Sequence, residues 1–489
     1  MRVIPALTAV LFSLCCFVLP VATLGQPPDL GGVFDLNESR GLRLKADELG
    51  PGYVLFSPIL SGTTYLINMD GQVVNTWESD YAEASAAYLL DKGNLLRGGR
   101  DPSSSVSFNE PGGGGRIQEF SWEGALVWDF SFNTETHLLH HDIEVLPSGN
   151  VLAISWEFKS AEEARQAGRR PELISQQGLW PDMILEFQPE PPNGARIVWE
   201  WHAWDHLVQD FDPSSDNYGN PAELPGRIDI NRGRPPITFE PGTLNPNLMH
   251  TNAVEYNAEL DQILLSVPNF SEIWIIDHST TTEEASGHMG GRWNKGGGLL
   301  YRWGNPQNYG RGDQKTQLLG EQHDPRWIPE GFPGAGHILI FNNNDFGSWG
   351  LRTSVFEIIP PITDHGYILE NGRSFGPDGP VWTYNTVDSF RAPFISGAHR
   401  IQNGNTFITS GPRGRFLEVT SAGEIVWDYW SPYSPNIAMP DDSTAPGLGP
   451  DIHSVFRATK IPPNHPGLTG RELRPLERQP KVALPRIPE

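Results

Sequence analysis

One phrase recurs along this 489-residue chain: a strand, a Pro/Asp-x-Gly-Asn turn, a second strand, then Glu before Phe, Val or Ile, and finally Gly-x-Ile/Val-Val-Trp. Full copies run from Ala87 to Trp128, from Asp142 to Trp199, from Thr251 to Trp303, from His323 to Trp382 and from Ser396 to Trp427. Two remnants are left over. Tyr53-Val54-Leu55-Phe56, Thr64-Tyr65-Leu66-Ile67 and Gln72-Val73-Val74-Asn75-Thr76-Trp77 supply three strands without a first one. His453-Ser454-Val455-Phe456-Arg457-Ala458 supplies a first strand without followers. Together they make a sixth unit. Four short strands per unit, repeated radially, describe an all-β, six-bladed β-propeller. Sharing one blade between the chain ends closes the ring and leaves no free edge.

Composition agrees with many short strands. Only 19% of residues are charged, while 52 Gly, 44 Pro, 16 Trp and 23 Phe supply turns and large buried rings. A net charge of −24 argues against nucleic acid as a partner. Met1-Arg2 followed by an apolar run to about Leu24 reads as a secretory signal, which implies a secreted or periplasmic protein with no membrane contact after cleavage. Both cysteines, Cys15 and Cys16, fall inside that run, so the mature chain has no disulfide and no thiol nucleophile. The expected organisation is a signal at 1–25, a lead segment at 26–51, the six-bladed β-propeller at 52–461 and a Pro-rich tail at 462–489 that wraps the surface or is partly disordered.

In a propeller the first strand of each blade lines the axis, so the residues that open those strands converge on one mouth. Here they are Ser85, His141, His250, His323, Ser396 and His453, four of them His in a chain with only fourteen. Asn252 shares a strand face with His250, and His140 and Asp142 are neighbours. Such a cluster has three readings: a metal site, a nucleophilic or acid–base site for group transfer, and a polar plug. Asp142 and Asp324 are the only carboxylates at hand, and a regular strand turns them away from the adjacent His. His202 and His206, four apart, lack a third ligand type nearby and read as structural. No phosphate-binding Gly-Lys-Ser/Thr loop, Gly-x-Ser-x-Gly elbow or His-Glu-x-x-His motif occurs, so a nucleotide donor is not expected. Gly112 to Gly115 reads as a flexible loop.

From about Gly52 to Ala458 the chain resembles the arylsulfotransferase family, secreted six-bladed propeller enzymes that move a sulfuryl group between phenols. The resemblance is carried by His140-His141-Asp142-Ile143 with Leu146-Pro147-Ser148-Gly149-Asn150, by His250-Thr251-Asn252-Ala253-Val254, by Gln322-His323-Asp324 with Phe341-Asn342-Asn343, and by Ser396-Gly397-Ala398-His399-Arg400. It implies that His323 forms a transient sulfohistidine, with His250 and His141 as the other catalytic groups. It also implies Asn252, Ser396, His453, His140 and Arg400 around the substrate, small phenols and aryl sulfates as partners, and no cofactor or metal. Three features depart from the better-known members. Leu265-Ser266-Val267-Pro268-Asn269-Phe270 lacks their Arg, for which Asn269, Arg400 and Arg413 are the candidate replacements. Ser396 stands in place of a Thr, and the N-terminal β-sandwich and the disulfide are missing. The competing expectations are a non-catalytic or metal-dependent ligand-binding propeller using the same His cluster, and a quinone-cofactor dehydrogenase, whose carboxylate and metal-ligand set is not found.

Overall fold

A computed structural model describes residues 39–102, 108, 110–233, 244–345, 352–385, 391–435 and 453–480, apart from the side chains of Ser85 and Ala86. The signal expected at 1–25 lies outside the described residues. Six antiparallel blades of four strands surround one axis, five of them in sequence order and the sixth opened by the last strand of the chain. We number the blades by their inner strands: Glu83–Leu89, His137–Val145, Ala253–Asn257, His323–Trp327, Gly397–Arg400 and Val455–Ile461. Blade 6 pairs Val455–Ile461 with Tyr53–Pro58, followed by Thr63–Asn68 and Val73–Glu78, so the chain ends do meet in one blade.

The recurring polar letters of the phrase bond to one another. Asn94, Asn150 and Asn405 follow the turn glycines Gly93, Gly149 and Gly404, which take φ of +86°, +84° and +91°, a region that favours Gly. The amide of each Asn donates across its blade to the Glu of the third strand: Asn94 to Glu119 (2.5 Å), Asn150 to Glu186 (2.5 Å) and Asn405 to Glu418 (2.7 Å). In blade 4 His337 takes the place of Asn and meets Glu357 at 2.6 Å. A buried carboxylate is thus partnered in each hairpin, as burial requires.

The six terminal tryptophans tie each blade to the next. Their indole N–H groups reach the connection between the third and outer strands of the following blade. Trp77 donates to the Ser121 carbonyl (2.9 Å), Trp128 to Gly194 (2.8 Å), Trp199 to the Thr280 hydroxyl (3.2 Å), Trp303 to Pro377 (2.8 Å), Trp382 to Ser421 (2.9 Å) and Trp427 to Met69 (3.0 Å). The apolar cores likewise lie between blades: Leu96, Ile117 and Trp128 of blade 1 pack with Ile143, Ala153 and Leu185 of blade 2.

Both flanking segments cover sheet edges. Gly41–Lys45 adds a fifth strand beside Ile425–Trp430 of blade 5. In the tail, Leu468 packs among Leu55, Leu66 and Trp77, while the Leu476 N–H and the Gln479 amide both reach the backbone of Val73. The insertion after blade 2 packs Leu207, Ile228 and Leu248 into the core of blades 2 and 3. Its 3-10 turn Ala203–His206 buries His206 against Trp201, with Nε2–H donating to the Ala285 carbonyl at 2.9 Å, and His202 faces Glu157, so these two histidines hold structure.

Candidate active site

The inner strands open irregularly. His141, His250, Glu321, Asp324, Ile395 and Ser396 all take positive φ, between 47° and 89°, which is unfavourable for residues with a Cβ. The register also slips between His323 and Arg326 and between Ala153 and Ser155. These kinks turn the opening residues toward the axis.

Three imidazoles result, His141 and His323 buried and His250 half-buried, all held neutral. Burial, with the neighbouring rings, pushes His141 well below its ordinary value; burial pushes His250 down to about 3 and His323 to about 4. The His141 and His250 rings lie 4.5 Å apart, and the Phe456 ring sits 6.1 Å from His141 and 6.0 Å from His323.

Their partners assign the tautomers. Asn343 donates its amide to the carbonyls of Ala392 and Ile395, each at 2.8 Å, so its oxygen faces His323. His323 Nδ1–H therefore donates to that oxygen (2.8 Å) and to the Glu321 carbonyl (3.0 Å), which leaves the lone pair on Nε2. His250 is the reverse. Asn247 accepts the His250 backbone N–H at its side-chain oxygen (2.9 Å), so its amide donates to His250 Nδ1 (2.7 Å) and the ring proton is on Nε2. His141 Nδ1 meets His140 Nδ1 at 2.8 Å, and Asp182 Oδ1 is 3.4 Å from His140 Nε2. Neither His140 Nε2 nor Asp182 Oδ1 makes a hydrogen bond among the described residues, so Asp182 acts on the pair by its charge. His140 itself lies flat on Trp156, 4.1 Å between ring centres.

Among the other expected residues, Asn252 donates to the Gln322 carbonyl at 3.0 Å and keeps a buried Oδ1 without a partner. Ser396 accepts the Gly411 N–H at 2.9 Å, and His453 Nδ1–H donates to the Tyr433 carbonyl at 3.0 Å. Both are committed to the backbone at the mouth. The Ser85 side chain lies outside the described residues. Arg400 is not brought to this mouth: it sits at the far end of its strand, paired with Glu357 and the Gly404 carbonyl. Asn269 donates to the Asn247 carbonyl (3.0 Å), and Arg413 lies in the turn Gly411–Arg413. The Gly run is no loose loop at its first residue: a Cβ on Gly112 would lie 2.1 Å from the His141 ring, so only Gly allows the backbone to cross there.

Sequence reasoning missed four positions. Asn343 and Asn247 set the tautomers; Asn343 was visible in the Asn run after Phe341. Arg100 ends the second strand of blade 1, near enough for its charge to help depress His141, and its Nε is buried without an acceptor. Beneath the imidazoles, Arg457 binds Asp142 (2.6 and 3.0 Å), Asp324 (2.7 Å) and the Tyr88 hydroxyl (2.8 Å). Asp142 and Asp324 do turn away from their neighbouring His, but into this axial ion cluster. Among the described residues no three His, Cys, Asp or Glu side chains are grouped to hold a metal.

The arylsulfotransferase (ASST) family profile matches residues 56–354, more than half of the chain. The chain belongs to the arylsulfotransferase family. The matched span includes His141, His250 and His323, and it makes the protein a sulfotransferase. A comparison with curated proteins finds no match. Among solved structures the chain is similar to a protein of unknown function from Bacteroides caccae (11% identity, 84% of this chain and 99% of that one, TM-score 0.42). It is also similar to a streptogramin B lyase (10% identity, 80% and 82%, TM-score 0.35). At that distance neither bears on function.

Proposed function

We propose that this arylsulfotransferase moves a sulfuryl group from an aryl sulfate to a phenol by a ping-pong route through His323. The observation that carries the reading is the pair of opposite tautomers: a lone pair on His323 Nε2 beside a proton on His250 Nε2. In the first half-reaction His323 Nε2 bonds to sulfur, the sulfur–aryl oxygen bond breaks, and the electron pair leaves with the phenolate. The sulfuryl group then sits on a positively charged imidazole, whose Nδ1–H is held by Asn343 and Glu321. In the second half-reaction the acceptor phenol passes its proton to His141 and its oxygen attacks sulfur, returning the nitrogen pair to His323. His141 gives the proton to the phenolate that leaves in the next turnover, so the cycle balances.

The division of labour follows from the hydrogen bonds. His250 Nδ1 is occupied by the Asn247 amide, so His250 acts as a donor to a sulfuryl or phenolic oxygen and does not take up a proton. His141 can take one, because His140 and Asp182 stand behind its Nδ1. Arg100 supplies positive charge toward the sulfuryl oxygens; removing one such stabilising group typically costs about a hundredfold or more in rate. Export belongs to the same reading, supported by the 1–25 leader, and N-terminal sequencing of the mature protein tests it.

The deciding experiment is intact mass spectrometry after mixing with 4-nitrophenyl sulfate. Wild type gains one sulfuryl group that maps to His323, His323→Ala gains none, and Arg100→Met gains it at least tenfold more slowly. Absence of any adduct or transfer across a panel of aryl sulfates refutes the proposal.

A further inference from the structure

The inner strands also converge at their other ends, and there they leave a second cavity of about 330 Å³. It lies beyond the Asp142–Arg457–Asp324 cluster, which fills the axis between the two mouths. Tyr88, Glu255, Arg326 and His399 come from the ends of four inner strands, while Trp327, Phe332 and Pro462 bring apolar surface.

The polar groups here are donors without enough acceptors. Arg326 uses only Nε, which donates to Asp324 at 2.9 Å; its two terminal nitrogens make no hydrogen bond among the described residues. His399 Nε2 accepts the Lys460 backbone N–H at 3.2 Å, so its proton is on Nδ1, and that N–H has no protein acceptor among the described residues. Glu255 accepts the Trp327 N–H at one oxygen (2.7 Å) and leaves the other open to the cavity. Burial pushes the Glu255 carboxyl well above the ordinary carboxylate range, which weakens its negative charge beside Arg326. Burial pushes His399 down to about 3, so it brings no second charge. A half-buried guanidinium with two open nitrogens beside the His399 Nδ1–H calls for an oxyanion, and the walls call for a flat apolar body.

We propose that this second mouth is a binding site for a small amphipathic organic anion, an aromatic carboxylate or aryl sulfate, with its anionic head on Arg326 and His399 and its ring against Trp327 and Phe332. The site is separate from the His323 mouth and does not depend on the sulfuryl-transfer reading.

Calorimetric titration with benzoate and with phenyl sulfate tests it on the full-length chain. His323→Ala, which removes the nucleophile at the opposite mouth, is expected to bind benzoate as tightly as wild type. Arg326→Met is expected to weaken binding by about tenfold or more, as loss of a charged hydrogen bond does. Because Arg326 also touches Asp324, a second variant guards against misfolding: Phe332→Glu, at a half-buried wall position, places a repelling charge in the mouth and should abolish binding with the fold intact by circular dichroism. Failure of wild type to bind either probe at millimolar concentration, or equal binding by wild type, Arg326→Met and Phe332→Glu, overturns the proposal. Loss of benzoate binding in His323→Ala also overturns it, by assigning the anion to the other mouth.

Discussion

At the scale of single residues, the chemistry rests on asparagines that orient imidazoles. Asn343 is wholly buried and has its amide fixed by two carbonyls, so it can only accept from His323. Asn343→Leu removes that acceptor, frees the ring to take either tautomer, and is expected to lower kcat about tenfold to a hundredfold with little change in KM. The pH profile gives a sharper test. His323 titrates at about 4 in the folded protein, so its lone pair is available above that value and is lost as pH falls through it. The acid limb of kcat/KM should therefore lie near 4. Asn343→Asp puts a carboxylate on Nδ1–H, favours the protonated ring and should move the limb upward; stopped-flow release of nitrophenolate measures both. His323, His141 and His250 could be found from register alone, because strand openings in a propeller share one axis. Their tautomers could not, because the asparagines that set them act from neighbouring strands and loops whose approach only the folded chain defines. Arg400 was misplaced for a related reason: four residues of extended chain carried it to the opposite mouth.

At the scale of strands, the inner six do two jobs along their length. The openings of blades 2 to 5 are kinked, and those of blades 2, 3 and 4 present His; farther along, Tyr88, Asp142, Asp324 and Arg457 form an ion cluster. Arg457 is 6% exposed at its side chain and balances two aspartates. Arg457→Met leaves Asp142 buried without its cation and Asp324 with Arg326 alone, and is expected to cost about 3–5 kcal/mol of stability, read from urea denaturation midpoints. A triple variant that also replaces both aspartates with asparagine should recover part of that loss. The turn-and-Glu pattern was legible as a repeat, and its cause is now plain: the Asn after each turn glycine satisfies the Glu two strands away. The kinks were not legible, since no glycine marks His141 or His250, and strain at such positions is paid only where packing over-determines the backbone.

At the scale of the whole molecule, stability is circular. Each blade is held to the next by the indole hydrogen bond of its terminal Trp and by a shared apolar core. Trp427→Phe keeps most of the packing but leaves the Met69 carbonyl without its donor; a cost of about 1–3 kcal/mol is expected, measured as a fall in Tm, and comparable losses should follow at Trp128 or Trp77. The blade count and the closure between the chain ends could be read from the repeat itself, because five complete copies and two complementary remnants admit one circular arrangement. The closing strand Val455–Ile461 carries Phe456 and Arg457 and follows His453 directly. A ribosome that has translated the first 450 residues has therefore made every catalytic imidazole but no axis for them to share. In the proposed site the imidazoles share a closed axis only once the closing strand has paired with Tyr53–Pro58, so a product terminated before it is expected to be inactive however well its other blades have formed.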